Sequence, residues 1–286
     1  MELVMEQRAT PTQAASASRR VIYLPREHGA TAMLLTPIVG VAILARQWRW
    51  CELATLAAAF AAMAAKDPLV VVLRQKFVWR QPHPETAVAA RWLAIWTLVL
   101  ALSGLLLLFA WPLKEFVGMV LGVGGFAALA LLVNLENRQR NTLFQIASAA
   151  ALTSTSLATC ISATGSVARW CWWFWGLTML QAAAGILVVH ARLDARIALR
   201  TPRPPDSPFR GAAIATLGVI LCAAVVAAVM RQPWIASALL VALAGYGYDL
   251  RRQRDAAALQ LPLKKVGQRA LALSAVFSGL LILGMW

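Results

Sequence analysis

Long apolar segments separated by short polar gaps run along nearly the whole chain. Most of them approach the ~20 residues that an α-helix needs to cross the hydrocarbon core of a bilayer. The segments lie near residues 29–45, 51–73, 92–111, 115–133, 142–162, 170–189, 211–230, 232–248 and 268–286. The pattern predicts an all-α, polytopic transmembrane bundle of about nine helices.

The basic residues are concentrated in alternate gaps. With the gaps numbered from the N-terminus, the N-terminal tail and the even gaps hold most of the 27 lysines and arginines. The odd gaps hold only Arg46, Arg49, Lys114, Arg169 and Arg231. Cytoplasmic loops of membrane proteins carry such an excess. We therefore expect the N-terminus and the even gaps to be cytoplasmic and the C-terminus to be external.

Most of the 12 tryptophans lie at the ends of segments that this orientation makes external. They are Trp48, Trp50, Trp111, Trp170, Trp172, Trp173, Trp175, Trp234 and Trp286. Tryptophan is enriched at the level of the lipid headgroups. An external aromatic belt therefore supports the same orientation.

Composition limits what else the chain can contain. Of its 286 residues, 60% are hydrophobic and 14% are charged, whereas a soluble domain carries roughly 25% charged residues. We expect one transmembrane domain over residues 23–286, preceded by a mobile cytoplasmic tail over residues 1–22. The net charge of +15 is spread over separate gaps. It therefore indicates orientation and attraction to anionic lipid, and we predict no nucleic-acid partner.

Three sets of small or polar residues within the segments indicate packing. The cysteines Cys51, Cys160, Cys171 and Cys222 lack metal-type spacing, and we interpret them as small apolar residues. Four glycines predict a close contact of the fourth segment with another helix: Gly118, Gly122, Gly124 and Gly125. The fifth segment carries a polar stripe, for which packing is favoured over the lining of a cavity: Gln145, Ser148, Thr155 and Thr159.

The clearest local motif is Pro-Arg-Glu-His-Gly-Ala at residues 25–30, where the first helix enters the membrane. A helix cap is one interpretation, because Glu27 near a helix N-terminus is stabilised by the helix dipole. The other is a Glu27–His28 pair that binds a cation, exchanges a proton or holds a ligand group. Glu27 and His28 are thus our candidate catalytic residues, and Arg26 beside them is a candidate for substrate binding.

A second polar cluster joins the fourth and fifth segments. Asn134, Arg138 and Asn141 would share one helical face if the helix continues inward, and such a face suits a polar or anionic ligand. A solvated loop is the alternative. We take all three as candidate substrate-binding residues.

A third cluster ends the sixth segment. His190 and Asp194 are four residues apart, so on a helix they face the same way, and Arg192 and Arg196 make the adjoining face basic. Substrate binding by His190 and Asp194 and a purely structural contact between them both stay open.

Two further polar positions belong to the same predicted face. Lys66-Asp67-Pro68 interrupts the second segment, which suggests a bent or discontinuous helix or residues that line a cavity. Lys264, with Gln268 and Arg269, enters the last segment, where anchoring by positive charge is the alternative to ligand binding. Asp67, Arg74 and Lys264 complete the candidate substrate-binding residues, and the sequence predicts no metal site.

The motif at residues 25–30, followed by Met33, Leu34, Leu35 and Pro37, resembles the start of the YwiC-like family of bacterial membrane proteins. The resemblance runs from about Tyr23 to the end of the chain. It implies a multi-pass protein of the bacterial inner membrane and no particular activity.

The architecture also resembles the UbiA superfamily of intramembrane prenyltransferases, which have two Asp-rich motifs at the cytoplasmic ends of helices two and six. Asp67 stands near the first motif and Asp194 near the second, but Ala198 replaces the second aspartate that should follow Asp194. Paired carboxylates are needed to hold Mg²⁺ against a diphosphate. The resemblance therefore implies, for an enzyme, a transferase without the usual Mg²⁺ motifs. Basic side chains would then hold an anion directly: Arg74, Arg192, Arg196 and Lys264.

Three functions follow as hypotheses. The first is binding or modification of an isoprenoid, quinone-type or other amphipathic lipid in a polar cavity open to the cytoplasm. The second is a small-molecule transporter or permease, and the third is a non-catalytic assembly factor for a membrane enzyme. Membrane lipid is the expected partner, and the sequence assigns neither a cofactor nor an oligomeric state.

Overall fold

The computed structural model describes residues 28–80, 84–135, 142–200 and 208–286. Regular structure in these ranges is helical throughout, which confirms the all-α class. The α-helices are α1 (His28–Ala45), α2 (Trp50–Leu73), α3 (Pro84–Ala110), α4 (Leu113–Leu135), α5 (Thr142–Thr153), α6 (Thr155–Thr164), α7 (Arg169–Ala198), α8 (Pro208–Val229), α9 (Pro233–Arg252), α10 (Ala256–Leu259) and α11 (Leu263–Met285). The expected tail at residues 1–22 lies outside the described ranges.

Within the described residues, seven helical stretches are long and apolar enough to cross a membrane. They are Trp50–Val78, Glu85–Ala110, Leu113–Val133, Thr142–Thr164, Arg169–Ala198, Pro208–Val229 and Lys265–Met285. A shorter apolar helix covers Gly29–Ala45, and α9 has 20 residues. Each of the nine apolar segments therefore coincides with helix, and a polytopic membrane protein is confirmed. The number of crossings and their direction stay predictions.

The main hydrophobic core lies between α1, α6, α7, α8, α9 and α11. Its fully buried side chains include Phe174, Ile220, Leu239 and Phe277. A second cluster joins α2 and the end of α3 to α6 through Cys51, Leu107, Trp111 and Ile161. The apolar stretch of α4 is peripheral, because none of it is buried.

The predicted close contact at the α4 glycines is wrong for the described part of the chain. A Cβ atom built at any of the four positions would meet nothing within 4 Å. Close approaches occur instead at glycines of α1, α7, α9 and α11: Gly40, Gly185, Gly245 and Gly284. Sequence spacing marks where a helix can approach another closely, but the direction of the glycine face decides whether it does.

Cys160 and Cys171 form a disulfide between the end of α6 and the start of α7, so the interpretation of all four cysteines as unpaired is wrong. The turn between the two helices brings the Cα atoms within 6.6 Å despite 11 residues of separation. Cys51 and Cys222 are free thiols. The disulfide lies at the predicted external end, which agrees with the oxidising environment that such bonds require.

The polar stripe of the fifth segment is used in packing only in part, since Thr155 bonds to α1 whereas Gln145 lies at the cavity described below. The hydroxyl of Thr153 donates to the carbonyl of Ala149 at 2.8 Å, which satisfies it within its own helix. Thr155 donates to the carbonyl of Leu34 on α1 at 3.0 Å. The stripe is divided between α5 and α6. The hydroxyls of Ser148 and Thr159 donate to backbone carbonyls one turn earlier in their own helices.

The interruption expected at Lys66-Asp67-Pro68 is absent from the described helix, since α2 continues through all three residues. Irregularity follows later, where a π-helical turn spans Arg74–Trp79. Proline is tolerated inside membrane helices when the surrounding structure satisfies the freed backbone groups, and Pro68 is buried.

Candidate functional site: a cavity between five helices

A cavity of about 530 Å³ lies between α1, α5, α7, α9 and α11. Its lining runs from Gly29 to Pro37 on α1, Gln145 to Thr153 on α5, Thr178 to Arg192 on α7, Tyr246 to Gln253 on α9 and Val266 to Ser278 on α11. These are the N-terminal half of α1, most of α5, the N-terminal two thirds of α11, the C-terminal two thirds of α7 and the C-terminal end of α9. The cavity therefore occupies the end of the bundle that the charge pattern predicts to be cytoplasmic.

The cavity extends about two thirds of the way along α7 and α11 from their predicted cytoplasmic ends. From Arg192 to Thr178 the lining covers about 21 Å along α7, at 1.5 Å per residue. The described lining goes no further than Thr178 on α7 and Ser278 on α11. The remaining turns of both helices lie between the deep end and the predicted external surface.

A hydrogen-bonded cluster from three helices forms the deep end. The amide nitrogen Nε2 of Gln181 donates to the hydroxyl of Tyr246 at 2.6 Å and to Oγ of Ser274 at 2.8 Å. Gln181 and Tyr246 are buried. Gly185, one turn along α7, leaves room for the phenol, because a Cβ there would lie 2.9 Å from the Tyr246 oxygen.

Arg192 lies nearer the predicted cytoplasmic end and is only 6% exposed. Its Nη2 donates to the carbonyls of Ala258 and Leu259 at 2.5 and 3.4 Å. These carbonyls end α10, so Arg192 ties that short helix to α7. Among the described residues its buried Nε has no hydrogen-bond partner.

Other polar groups surround this end of the cavity. Arg269 forms an ion pair with Asp249 at 3.2 Å, and Gln253 donates to the carbonyl of Val188 at 3.0 Å. Asp249 lines the cavity beside Arg192 and Gln253. The mouth therefore carries charges of both signs, whereas the described deep lining is neutral.

Apolar side chains line the cavity between the two polar ends. They include Ala32, Met33, Ile186, Val189, Ala270 and Leu271. A site with a charged mouth, an apolar wall and a neutral hydrogen-bonding end suits an amphipathic molecule, because each part of the ligand would meet groups of matching polarity.

Arg192, one of the basic residues expected to hold an anion, lines the cavity, whereas the other described candidate residues lie outside this lining. His190 is the closest to it, since its Nε2 lies 2.9 Å from Oε1 of Gln145, which lines the cavity. Its ring packs on Phe209, with 5.1 Å between ring centroids. Asp194 follows one turn later on α7. Asp67 lies on α2, 3.9 Å from Nζ of Lys66, and Arg74 begins the π-helical turn.

The remaining candidates are not described in full. Arg26, Glu27, Arg138 and Asn141 lie outside the described residues, as do the side chains of His28, Asn134 and Lys264. Gly29, the next residue in the entry motif, lines the cavity. Gly29 therefore connects the described part of the motif with the cavity, and the roles assigned to Glu27 and His28 stay predictions.

The deep cluster was missed from the sequence. Gln181, Tyr246 and Ser274 each interrupt an apolar stretch, and polar residues within membrane helices often have functional roles. The sequence could therefore have marked these polar positions as candidates one by one. What the sequence did not show is that positions on α7, α9 and α11, far apart along the chain, meet around one cavity.

Residues 24–160 match the family model described as YwiC-like protein. The match includes the entry motif and extends through most of α6, so the resemblance to this family is confirmed over that part of the chain. No curated protein matches the chain, and no solved structure does. The matched region supplies the α1 and α5 walls of the cavity, whereas α7, α9 and α11 lie beyond it.

Proposed function

We propose that this multi-pass membrane protein, YwiC-like over residues 24–160, binds an isoprenoid, quinone-type or other amphipathic lipid in the cavity between its helices. The observation that carries the proposal is the order of surfaces along the cavity, from charged mouth to apolar wall to neutral polar end. The volume of about 530 Å³ falls within the roughly 300–1,000 Å³ of small-molecule sites.

The charges at the mouth favour a ligand with a polar group at the cytoplasmic end. Arg192 and Arg269 are cationic, and the buried Nε of Arg192 has a donor hydrogen that no described residue accepts. An anionic or strongly polar group at the mouth would accept it. The proposal includes a role for Glu27 and His28 in holding or exchanging a proton there, because the neighbouring Gly29 lines the cavity.

A transporter has less support. The hydroxyls of α5 and α6 already donate to backbone carbonyls, as the bonds of Thr153 and Thr155 illustrate. Lys66 and Asp67, which the sequence offered as possible cavity-lining residues, lie on α2 outside the cavity lining. The described lining also stops at Thr178, about two thirds of the way along α7 from its predicted cytoplasmic end, whereas a continuous path would need polar positions along the rest of that helix.

Mass spectrometry of the lipids retained by purified protein tests the proposal. We expect the wild-type protein to carry a lipid that is enriched over the bulk membrane, and Ala32→Trp, which fills the cavity, to lose it. Ala101→Trp is the matched control, because Ala101 lies on the exposed face of α3, and it should retain the lipid. Bulk phospholipid alone in the wild type, or equal retention by both variants, would contradict the proposal.

A further inference from the structure

We propose that the deep end of the cavity binds a neutral carbonyl oxygen of the lipid through donor hydrogens of the Gln181–Tyr246–Ser274 cluster. This inference rests on the proposed function and assigns the chemistry of the part of the ligand that enters furthest. A quinone and an ester both supply such an oxygen, and the experiment below distinguishes them.

The cluster has more donor hydrogens than its internal bonds use. The amide of Gln181 carries two, and the hydroxyls of Tyr246 and Ser274 carry one each. The two bonds from Nε2 use two of the four. Among the described residues, neither hydroxyl has a hydrogen bond to a further acceptor, so two donor hydrogens are left for a ligand.

The surplus does not depend on which way the amide of Gln181 is turned. In the opposite orientation both hydroxyls donate to Oε1, and the two N–H groups are then left over. Either arrangement presents two donors and calls for an acceptor.

A single oxygen can accept both hydrogens. The Tyr246 and Ser274 oxygens each lie within 2.8 Å of the same nitrogen, so they are close enough for one carbonyl oxygen to contact both. A carbonyl oxygen has two lone pairs and no hydrogen of its own. Leaving a buried donor without a partner costs about 1–3 kcal/mol. A carbonyl oxygen that accepts both hydrogens would therefore lower the free energy of the cluster.

The surroundings favour a neutral acceptor over a carboxylate or phosphate. The described lining near the cluster consists of neutral groups, including Thr36, Thr178 and Ser278. Arg192 is eleven positions from Gln181, about 16 Å along α7. Asp249, one turn from Tyr246 on α9, is paired with Arg269, so this ion pair supplies no net positive charge to an anion at the cluster. An ionised group buried here would lack a compensating charge.

The direct test compares binding of three probes to the purified protein in nanodiscs. The first probe is a decyl-substituted benzoquinone, the second is the corresponding decylbenzene without carbonyl groups, and the third is a medium-chain monoacylglycerol. We expect Tyr246→Phe and Ser274→Ala each to weaken binding of the carbonyl probe by about 5- to 10-fold, as expected for one hydrogen bond. Decylbenzene should bind equally to all variants.

Tyr248→Phe is the matched control, since Tyr248 lies on the same helix with an exposed side chain, and it should leave binding unchanged. Infrared spectra add a readout that altered packing would not reproduce. The carbonyl stretch of the bound probe should shift to lower frequency in the wild type, and the shift should shrink in both hydroxyl variants. A shift seen with the quinone alone identifies the quinone as the ligand class, and one with the monoacylglycerol alone identifies the ester.

The outcomes separate the two proposals. If all probes bind but neither hydroxyl variant changes affinity or carbonyl frequency, the carbonyl site is wrong and lipid binding stands. If no probe binds and no lipid is retained on purification, the proposed function itself is wrong. Thermal unfolding of each variant, which should match the wild type within a few degrees, shows that the fold has been kept.

Discussion

The Cβ position of Gly185 on α7 lies 2.9 Å from the hydroxyl oxygen of Tyr246 on α9. The absence of a side chain at Gly185 is therefore what lets the phenol approach Gln181. We expect Gly185→Ala to push Tyr246 away, to break its 2.6 Å hydrogen bond with Gln181 and to destabilise the fold by about 1–3 kcal/mol. Thermal unfolding in detergent measures the loss.

Two further variants test whether the collision with Tyr246 causes the destabilisation by Gly185→Ala. Gly176→Ala is the control on the same helix, because a Cβ at Gly176 would meet nothing within 4 Å, and it should leave the unfolding temperature unchanged or raise it. Tyr246→Phe removes the atom that would collide, so the destabilisation by Gly185→Ala should be smaller in that background. If the two substitutions change the free energy of unfolding additively, the collision with the Tyr246 hydroxyl is not the cause of the destabilisation.

The disulfide should contribute measurably to stability. Replacing both Cys160 and Cys171 by serine is expected to lower the free energy of unfolding by about 2–4 kcal/mol, since the bond restrains the unfolded chain. Cys222→Ser should have little effect, because Cys222 is an exposed free thiol. Unfolding curves of the three proteins, with and without reductant, measure the difference. If reductant leaves the unfolding curve of the wild-type protein unchanged, and if that curve matches the curve of the double variant, the disulfide does not stabilise the fold.

Glycines in close contact should be far less tolerant than those of α4. A Cβ at Gly40 would lie 2.6 Å from Cζ of Phe174, which is fully buried, whereas a Cβ at Gly122 would meet nothing. We expect Gly40→Ala to destabilise the fold by about 1–3 kcal/mol. Gly122→Ala should be neutral or slightly stabilising, because alanine is the better helix former. Equal sensitivity at both positions would argue against the described packing of α1 on α7.

These glycines illustrate how far the sequence leads. Hydrophobic segments predict the helices, because the ~20-residue length of a membrane crossing is a local property of the chain. Gly40 and Gly122 look alike in sequence, and only packing distinguishes them. The Cys160–Cys171 pair was likewise missed, since the turn that joins α6 to α7 determines the distance between the two residues.

The candidate site shows the same division. The charge pattern predicts polar groups at one end of the bundle, and Arg192 is among the basic residues that it offers for binding an anion. Gln181, Tyr246 and Ser274 lie on three helices, and their convergence depends on how those helices pack. Composition cannot indicate that each of these side chains faces inward, whereas the hydrogen bonds show it directly.

Arg192 should hold α10 in place beside the cavity. It is buried, and it donates to the carbonyls of Ala258 and Leu259. Arg192→Gln shortens the side chain and removes the guanidinium, so we expect faster amide hydrogen exchange in Ala256–Leu259 and a loss of about 1–3 kcal/mol in unfolding free energy. Arg200→Gln is the control, because Arg200 is exposed near the end of the same helix. It should leave exchange in α10 unchanged, and unchanged exchange in the Arg192 variant would show that α10 is held by other contacts.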